Sequence, residues 1–427
     1  MKNHNFLELW GNKNREMKNT LTMIFWIAFC VNLSAQEWVT LNNSSVTARH
    51  HPVTFTLDNT VYLISGSTAQ SHPQGTSDFF MYDADNDDWI QLDDFPGGPR
   101  TYAYAATYDG KAYFGLGSND FDTFLSDLWK YDPQTGEWTE LASCPCGGRA
   151  HPAFVQHNGK IFMGLGQNPF DRNDWWEYDI ASDSWTERPS LPGPPRHHPF
   201  HFQAGDYVYA GFGHSGSSYY DDWYRYDPVN HEWEEMNPHP AGPRVAGQEF
   251  SYGGYGFVIS GDGNNHLNLA DGEFWKYDHH EDEWERLPDH PGNAPDGRVG
   301  RWAPGAFVLD GYAYFFGGVN RSAGILYGDL HKFNLEEVVS STEEPVAIES
   351  NITIYPNPAS DVVNFSEEIF QNGPIDIKIT NISGQIVLSG EQVSNTLPVS
   401  HWPNGLYSLS AKDSKGNVYT GSFIVGN

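Results

Sequence analysis

The chain has 427 residues, a formal net charge of −31 and an aromatic content of 15%. So acidic a surface argues against nucleic-acid or anionic-membrane partners and suits an exported protein that must stay soluble. Three cysteines in this length exclude a disulfide framework, so stability has to come from packing.

Residues 1–35 read as a signal peptide. Lys18 precedes an apolar run from Leu21 to Leu33, and Ser34-Ala35 stand before Gln36. That run is about thirteen residues, too short to span a bilayer, and no membrane insertion is expected. Met17 is then the expected initiator, with residues 1–16 an extension. Cys30 follows the bulky Phe29, which argues against lipidation at this position.

From residue 36 to 335 one unit repeats. Trp38, Trp89, Trp138, Trp185, Trp233 and Trp284 recur every 47 to 51 residues, and five of them stand seven residues after a Tyr, at Tyr82-Asp83, Tyr131-Asp132, Tyr178-Asp179, Tyr226-Asp227 and Tyr277-Asp278. An Arg follows each of the first five Trp by eleven residues (Arg49, Arg100, Arg149, Arg196, Arg244), and Arg301 heads the sixth unit. Each Arg is followed seventeen residues later by Gly66, Gly117, Gly166, Gly213, Gly261 or Gly318. Between Arg and Gly, alternating runs such as Ala112-Tyr113-Phe114-Gly115 predict two strands joined by a turn. The Tyr-Asp pair ends a third strand and the Trp sits on a fourth, giving four strands per unit. The sixth unit has no Trp of its own. Glu37-Trp38-Val39-Thr40-Leu41 matches the fourth-strand pattern, so the N-terminal strand is expected to complete the last blade and remove an open sheet edge.

The pattern of Arg, Gly, Tyr-Asp and Trp resembles the kelch repeat over roughly residues 38 to 335, and the fold expected is an all-β, six-bladed kelch-type β-propeller. The chain departs from the kelch pattern where Gly-Leu-Gly or Gly-Phe-Gly replaces the glycine doublet, which only Gly317-Gly318 retains. The resemblance implies binding more often than catalysis, but includes galactose-oxidase-like enzymes and sialic-acid mutarotases.

Residues 336–350 are rich in Glu, Ser, Thr and Val and read as a linker. Residues 351–427 carry Tyr355-Pro356-Asn357-Pro358-Ala359, Ile382-Ser383-Gly384-Gln385 and Gly405-Leu406-Tyr407. Short alternating strands with Gly and Pro turns predict a small β-sandwich. The quoted motifs resemble the type A C-terminal sorting domain of type IX secretion. That resemblance implies export through periplasm and outer membrane, a secreted or cell-surface address, and the secretion machinery as a partner of 351–427.

In such a ring the Arg side chains are expected at the mouth of the central channel. Arg49, Arg100, Arg149, Arg196, Arg244 and Arg301 are therefore candidate ligand-binding residues, since guanidinium is a forked donor to acidic groups; the alternative is that they tie blades together. Two residues after each Arg stand His51, Tyr102, His151, His198, Ala246 and Ala303. His51, Tyr102 and His151 are further candidates for ligand binding. His198, His214 and Asp262 are the candidates for acid–base work if the protein is an enzyme. Three imidazoles on one rim are equipped to bind a metal, polarise a sugar hydroxyl or act as acid–base groups. Coming from blades one, three and four they need not converge, and the plainer reading is polar channel lining. No metal and no cofactor is expected. Leu141 to Arg149 aligns with Leu92 to Arg100, so Cys144 reads as a packing residue and Cys146 as a turn residue, with a disulfide or zinc site as the alternative. A Pro/Gly/Asp loop at 287–300, longer than its counterparts, is placed to fold over the mouth. The expected function is a secreted or cell-surface module that binds an extracellular glycan or protein through this face. The alternative is a sugar-acting enzyme of sialic-acid mutarotase-like type. Galactose-oxidase-like copper chemistry is disfavoured, because Cys144 and Cys146 lie in a turn away from the inner strands.

Overall fold

The computed structural model describes residues 37–41, 45–69, 74–119, 123–292, 294–340, 350–366, 370, 373–381, 386–413 and 418–426. The expected signal peptide, most of the expected linker and the Ile382–Gln385 motif lie outside the described residues. No helix among them is long and apolar enough to cross a membrane.

Six four-stranded antiparallel sheets, or blades, are formed among the described residues. The first consists of Val53–Leu57, Thr60–Ile64, Phe79–Asp83 and Asp88–Gln91. Its first two strands turn through Asp58 and Asn59, both at positive φ, as the tight hairpin geometry requires. The Tyr-to-Trp spacing is a hairpin register: Tyr82 lies opposite Trp89, and Tyr131 opposite Trp138. The inner strands are Val53–Leu57, Tyr104–Tyr108, Ala153–His157, Phe200–Ala204, Gln248–Tyr252 and Gly305–Leu309. Each packs against the next, and Gly305–Leu309 packs against Val53–Leu57. Val39–Thr40 pairs antiparallel with Leu330–Asn334, with Val39 opposite Lys332, as the outermost strand of the sheet that begins at Gly305.

The recurring Trp is an inter-blade wedge. Trp89 meets Phe307, Trp138 meets Phe79, Trp233 meets Trp175, Trp284 meets Trp223 and Trp38 meets Phe274, in each case a residue of the preceding blade. Four indole N–H groups also donate to carbonyls just after the preceding blade's last strand: Trp38 to Pro288, Trp185 to Ala142, Trp233 to Pro189 and Trp284 to Asn237. The recurring Trp thus supplies apolar area between blades, and four of the six add a directional bond.

The recurring Arg locks its own blade. Arg49, Arg100, Arg149, Arg196 and Arg301 are all buried and form forked pairs with Asp78, Asp127, Asp174, Asp222 and Asp329. In Arg100 both N–O distances are 2.8 Å, and the same guanidinium reaches the Leu116 and Gly97 carbonyls. Arg244 is held by Glu273 instead, at 2.6 Å. The Arg main chain binds the neighbouring blade: Gly66, Gly117, Gly166, Gly213, Gly261 and Gly318 donate N–H to the carbonyls of Arg100, Arg149, Arg196, Arg244, Arg301 and Arg49. The Arg-to-Gly spacing is therefore the period of a hydrogen-bonded ring. A side chain at Gly117 (φ +89°) would place its Cβ 2.4 Å from the Thr101 carbonyl, which is why the position is glycine.

The C-terminal region forms a five-stranded sheet of Ser350–Asn351, Val418–Val425, Gly405–Asp413, Ile375–Asn381 and Ile386–Gln392, and a three-stranded sheet of Ile354–Tyr355, Val362–Phe365 and Thr396–Pro398. They enclose Val363, Phe365, Ile379, Val399, Tyr407 and Phe423. The expected small sandwich is present, and Tyr407 of the Gly-Leu-Tyr motif also donates its hydroxyl to the Pro403 carbonyl at 2.7 Å.

Removing one carboxylate of a lock strands a buried guanidinium. Asp127→Ala is expected to cost about 2–4 kcal/mol, the lower end for a buried pair because Asp127 is 19% exposed. Chemical denaturation of the variant checks this, and an unchanged midpoint would show that the pair does not hold the blade.

Candidate functional site

The site is built two residues beyond each Arg. His51, Tyr102, His151, His198, Ala246 and Ala303 all adopt positive φ, between 49° and 62°. Six non-glycine residues in the left-handed region at one ring position is a costly arrangement that the ring imposes. Their backbones continue the inter-blade stitching: His51, His151 and Ala303 donate N–H to the carbonyls of Ala303, Tyr102 and Ala246. The turn directs the side chains toward one another. The imidazoles of His51, His151 and His198, expected to stand apart on a rim, converge instead, with one nitrogen of each within 4.8 Å of the others. Tyr102 packs on His151 with ring centres 3.9 Å apart, and Trp302 meets His51 edge-on at 4.5 Å. Burial is the main cause that pushes all three imidazoles well below their ordinary value of 6.5.

Below this cluster the six inner strands enclose a cavity of about 400 Å³, lined at its upper end by His51, His198, Ala246 and Ala303. The strand period of two turns alternate residues into it. Thr54, Phe154, His201, Glu249 and Ala306 form one layer, and Thr56, Thr107, Gln156, Gln203, Ser251 and Val308 form the next. The six residues of that second layer are partly or fully exposed, whereas Tyr102, His151, His198, Ala246 and Ala303 are buried. The cavity is therefore more open at the far ends of the inner strands than at the cluster. Several hydroxyls stitch neighbouring strands: Thr54 and Thr56 donate to the Ala306 and Val308 carbonyls, and Ser251 to that of Gln203. Among the described residues no Lys or Arg lines the cavity. The six Arg expected to grip a ligand at the mouth have their guanidiniums committed to carboxylates and carbonyls within the blades.

The cavity wall holds one ionisable pair that the sequence reading did not single out. His201 Nδ1 lies 3.2 Å from Glu249 Oε1, both side chains being 5% exposed, although the two are not aligned as a hydrogen bond. Burial pushes the Glu249 carboxyl well above the usual carboxylate range and the His201 imidazole down to about 3. Tyr104 packs edge-on against His201, and burial raises its phenol. Both polar residues stand five positions after their Arg, a register in which the other blades carry Thr54, Ala105, Phe154 and Ala306.

His214 and Asp262 lie on the loop side of the cluster and do not line the cavity. His214 packs on His197 and His266, and burial pushes its imidazole down to about 3. His197 is paired with Asp171 at 2.6 Å. Asp262 is fully buried, accepts from Asn268 Nδ2 at 2.8 Å, and has Arg321 at 3.7 Å and His266 at 3.8 Å; burial raises its carboxyl. Arg321 also lies over Trp302 at 5.0 Å. His198 alone of the three acid–base candidates borders the cavity. In loops between the strands, Tyr220 and Tyr327 lie against the Arg196 and Arg301 guanidiniums, and Phe170 is exposed. In the 287–300 loop, Arg298 donates to the Asn268 carbonyl and receives Asn320 on its own. Cys144 and Cys146 are joined as a disulfide, the alternative to separate packing and turn roles; the Pro145 turn brings their Cα atoms to 5.2 Å.

A scan against protein-family models matches residues 2–202 to the KLHDC2/KLHL20/DRC7 Kelch-repeats domain and residues 353–426 to the Secretion system C-terminal sorting domain. No curated protein matches the sequence. The solved structure of YjhT is similar, with a TM-score of 0.56 at 18% identity over 68% of this chain and 95% of YjhT. At that identity the likeness shows the fold alone.

Buried imidazoles also make the stability of the fold depend on pH. His239 and His290 are each pushed down to about 3, with burial as the main cause. Between about pH 3 and 6.5 the unfolded chain binds protons at these groups that the folded chain does not, so stability falls as pH drops through that window, by up to about 1.4 kcal/mol per pH unit per group. The denaturation midpoint is expected to decline below pH 6.5, and His239→Leu to make the decline shallower. A midpoint that rises from pH 7 to 5 would contradict this.

Proposed function

We propose that this secreted or surface-displayed kelch-repeat protein, addressed by its C-terminal sorting domain to type IX export, binds an uncharged extracellular glycan in the channel cavity. One observation carries the reading. The cavity, about 400 Å³, is lined by hydroxyl, amide, imidazole and aromatic groups and the Glu249 carboxyl, with no Lys or Arg among the described residues. A sugar ring offers an apolar face and a hydroxylated edge, which matches a wall where Phe154 stands between Ala105 and His201 and where Gln156 and Gln203 point inward. An acidic sugar would find no guanidinium, because all six ring Arg are occupied by the scaffold. The partly exposed layer of Thr56, Thr107, Gln156, Gln203 and Ser251 is where a chain end enters.

A second reading, an enzyme acting on a sugar, is favoured by the Glu249–His201 pair. A carboxyl kept protonated by burial and an imidazole kept neutral by burial are a proton donor and a proton acceptor side by side. Such a pair is equipped to move a proton between ring oxygen and anomeric hydroxyl.

A glycan array and calorimetry on the full chain test the binding reading. Saturable binding to a neutral glycan is expected, weakened at least about tenfold by Gln203→Ala, the loss of one or two hydrogen bonds. Preference for acidic glycans, or binding of a protein partner alone, would overturn it. If the pair is catalytic, anomer interconversion of the bound sugar, followed by NMR, is abolished by Glu249→Gln while binding persists.

A further inference from the structure

His51, His151 and His198 come from three blades and meet near the channel axis. Their protonation is set by their neighbours. His50 Nε2 lies 2.9 Å from the Ala69 carbonyl, which can only accept, so the His50 proton sits on Nε2 and its Nδ1 is a lone pair. His51 Nδ1, 2.7 Å from that lone pair, must donate to it. The bare Nε2 of His51 then points at His198 Nε2, 3.4 Å away. Two nitrogens bound to one tetrahedral zinc ion at ~2.1 Å are separated by ~3.4 Å. Both ring nitrogens of His151 are buried and unpartnered, as is His198 Nδ1. His51 and His198 meet through their Nε2 atoms, and His151 adds two nitrogens that no protein group engages, so the three imidazoles form a donor set.

We propose that His51, His151 and His198 bind a divalent transition-metal ion, with His50 as the positioning residue that fixes the His51 tautomer. The donor set is all imidazole, which suits zinc and its borderline neighbours rather than calcium or magnesium. His51 and His198 border the cavity, so the fourth coordination position faces the space where a ligand would sit. Three protein ligands and one open position are the arrangement of a site that polarises a bound oxygen rather than one that only braces a fold. A neighbouring group, His197, His198 and His214, also brings its nitrogens within 4.8 Å. His197 Nδ1 and His214 Nδ1 are engaged by Asp171 and the Gly216 carbonyl, and His214 Nε2 has no partner. What separates this group from the first is that neither the His197 nor the His214 ring borders the cavity. The assignment does not depend on the glycan reading, since it rests on nitrogen geometry alone.

The test uses the full chain purified without a polyhistidine tag, loaded with zinc or cobalt(II) and desalted, with metal content and the visible cobalt spectrum as readouts. About one ion per chain and a four- or five-coordinate cobalt spectrum are expected. His51→Ala and His151→Ala lose the ion, His214→Ala keeps it, and His50→Ala keeps the stoichiometry with affinity roughly 10–100-fold weaker. Thermal unfolding identifies any variant that fails to fold, and His51→Gln, which preserves side-chain bulk, replaces it. No stoichiometric ion, an ion retained in folded His51→Ala, or an ion lost in His214→Ala would overturn the assignment.

Discussion

The forked pairing of one buried Arg with one carboxylate in each blade is the constraint on which the channel depends. The guanidinium fastens strands of its own blade, while the Arg carbonyl receives the glycine N–H of the blade before it. A residue held at both ends in this way fixes where the next residues go. The chain must then turn through a left-handed residue two positions on, and that turn delivers His51, Tyr102, His151 and His198 toward the axis. The scaffold consumes the strongest cations of the channel face and leaves neutral imidazole, phenol, amide and hydroxyl groups for chemistry. Burying a charged pair is retained here with three or more hydrogen bonds per guanidinium, the condition under which such pairs are tolerated.

Much of this architecture was legible in the sequence. The Tyr-to-Trp interval is a hairpin register kept in five units, and the Arg-to-Gly interval is a hydrogen bond between blades kept in all six, so both are fixed lengths. The carboxylate partners were not legible, because loops of different length place them between 25 and 29 residues after the Arg. Without the partner in view, Arg as ligand anchor and Arg as lock looked alike. Convergence of the imidazoles was hidden for another reason: residues about 100 and 150 positions apart meet only because ring geometry superposes equivalent positions, and a linear spacing carries no such distance. The consecutive His pairs at 50–51 and 197–198 were a usable signal, since the first of each pair contacts the ring of the second. His201 and Glu249 were findable by counting five residues on from each Arg, where other blades carry smaller or apolar groups.

The functional picture divides by region. Residues 353–426 match a sorting domain and account for the address. The blades supply rigidity, through a Trp wedge at each seam and an Arg lock in each sheet. Along the axis lie an imidazole cluster at one end of a cavity, a buried carboxyl–imidazole pair in its wall, and a partly exposed polar layer at the other end. Each of these is assembled from residues on different blades, so packing between blades and site geometry are one problem.

The most direct measurement is a double-mutant cycle at Arg149 and Asp174, read simultaneously as unfolding free energy and as ligand or metal affinity of the folded protein. If Arg149 is scaffold, each single variant is destabilised, the double variant is less so than the sum of the two, and affinity in the folded fraction stays at the wild-type value. A folded Arg149 variant with wild-type stability and lost affinity would contradict the account and return the Arg ring to the binding site.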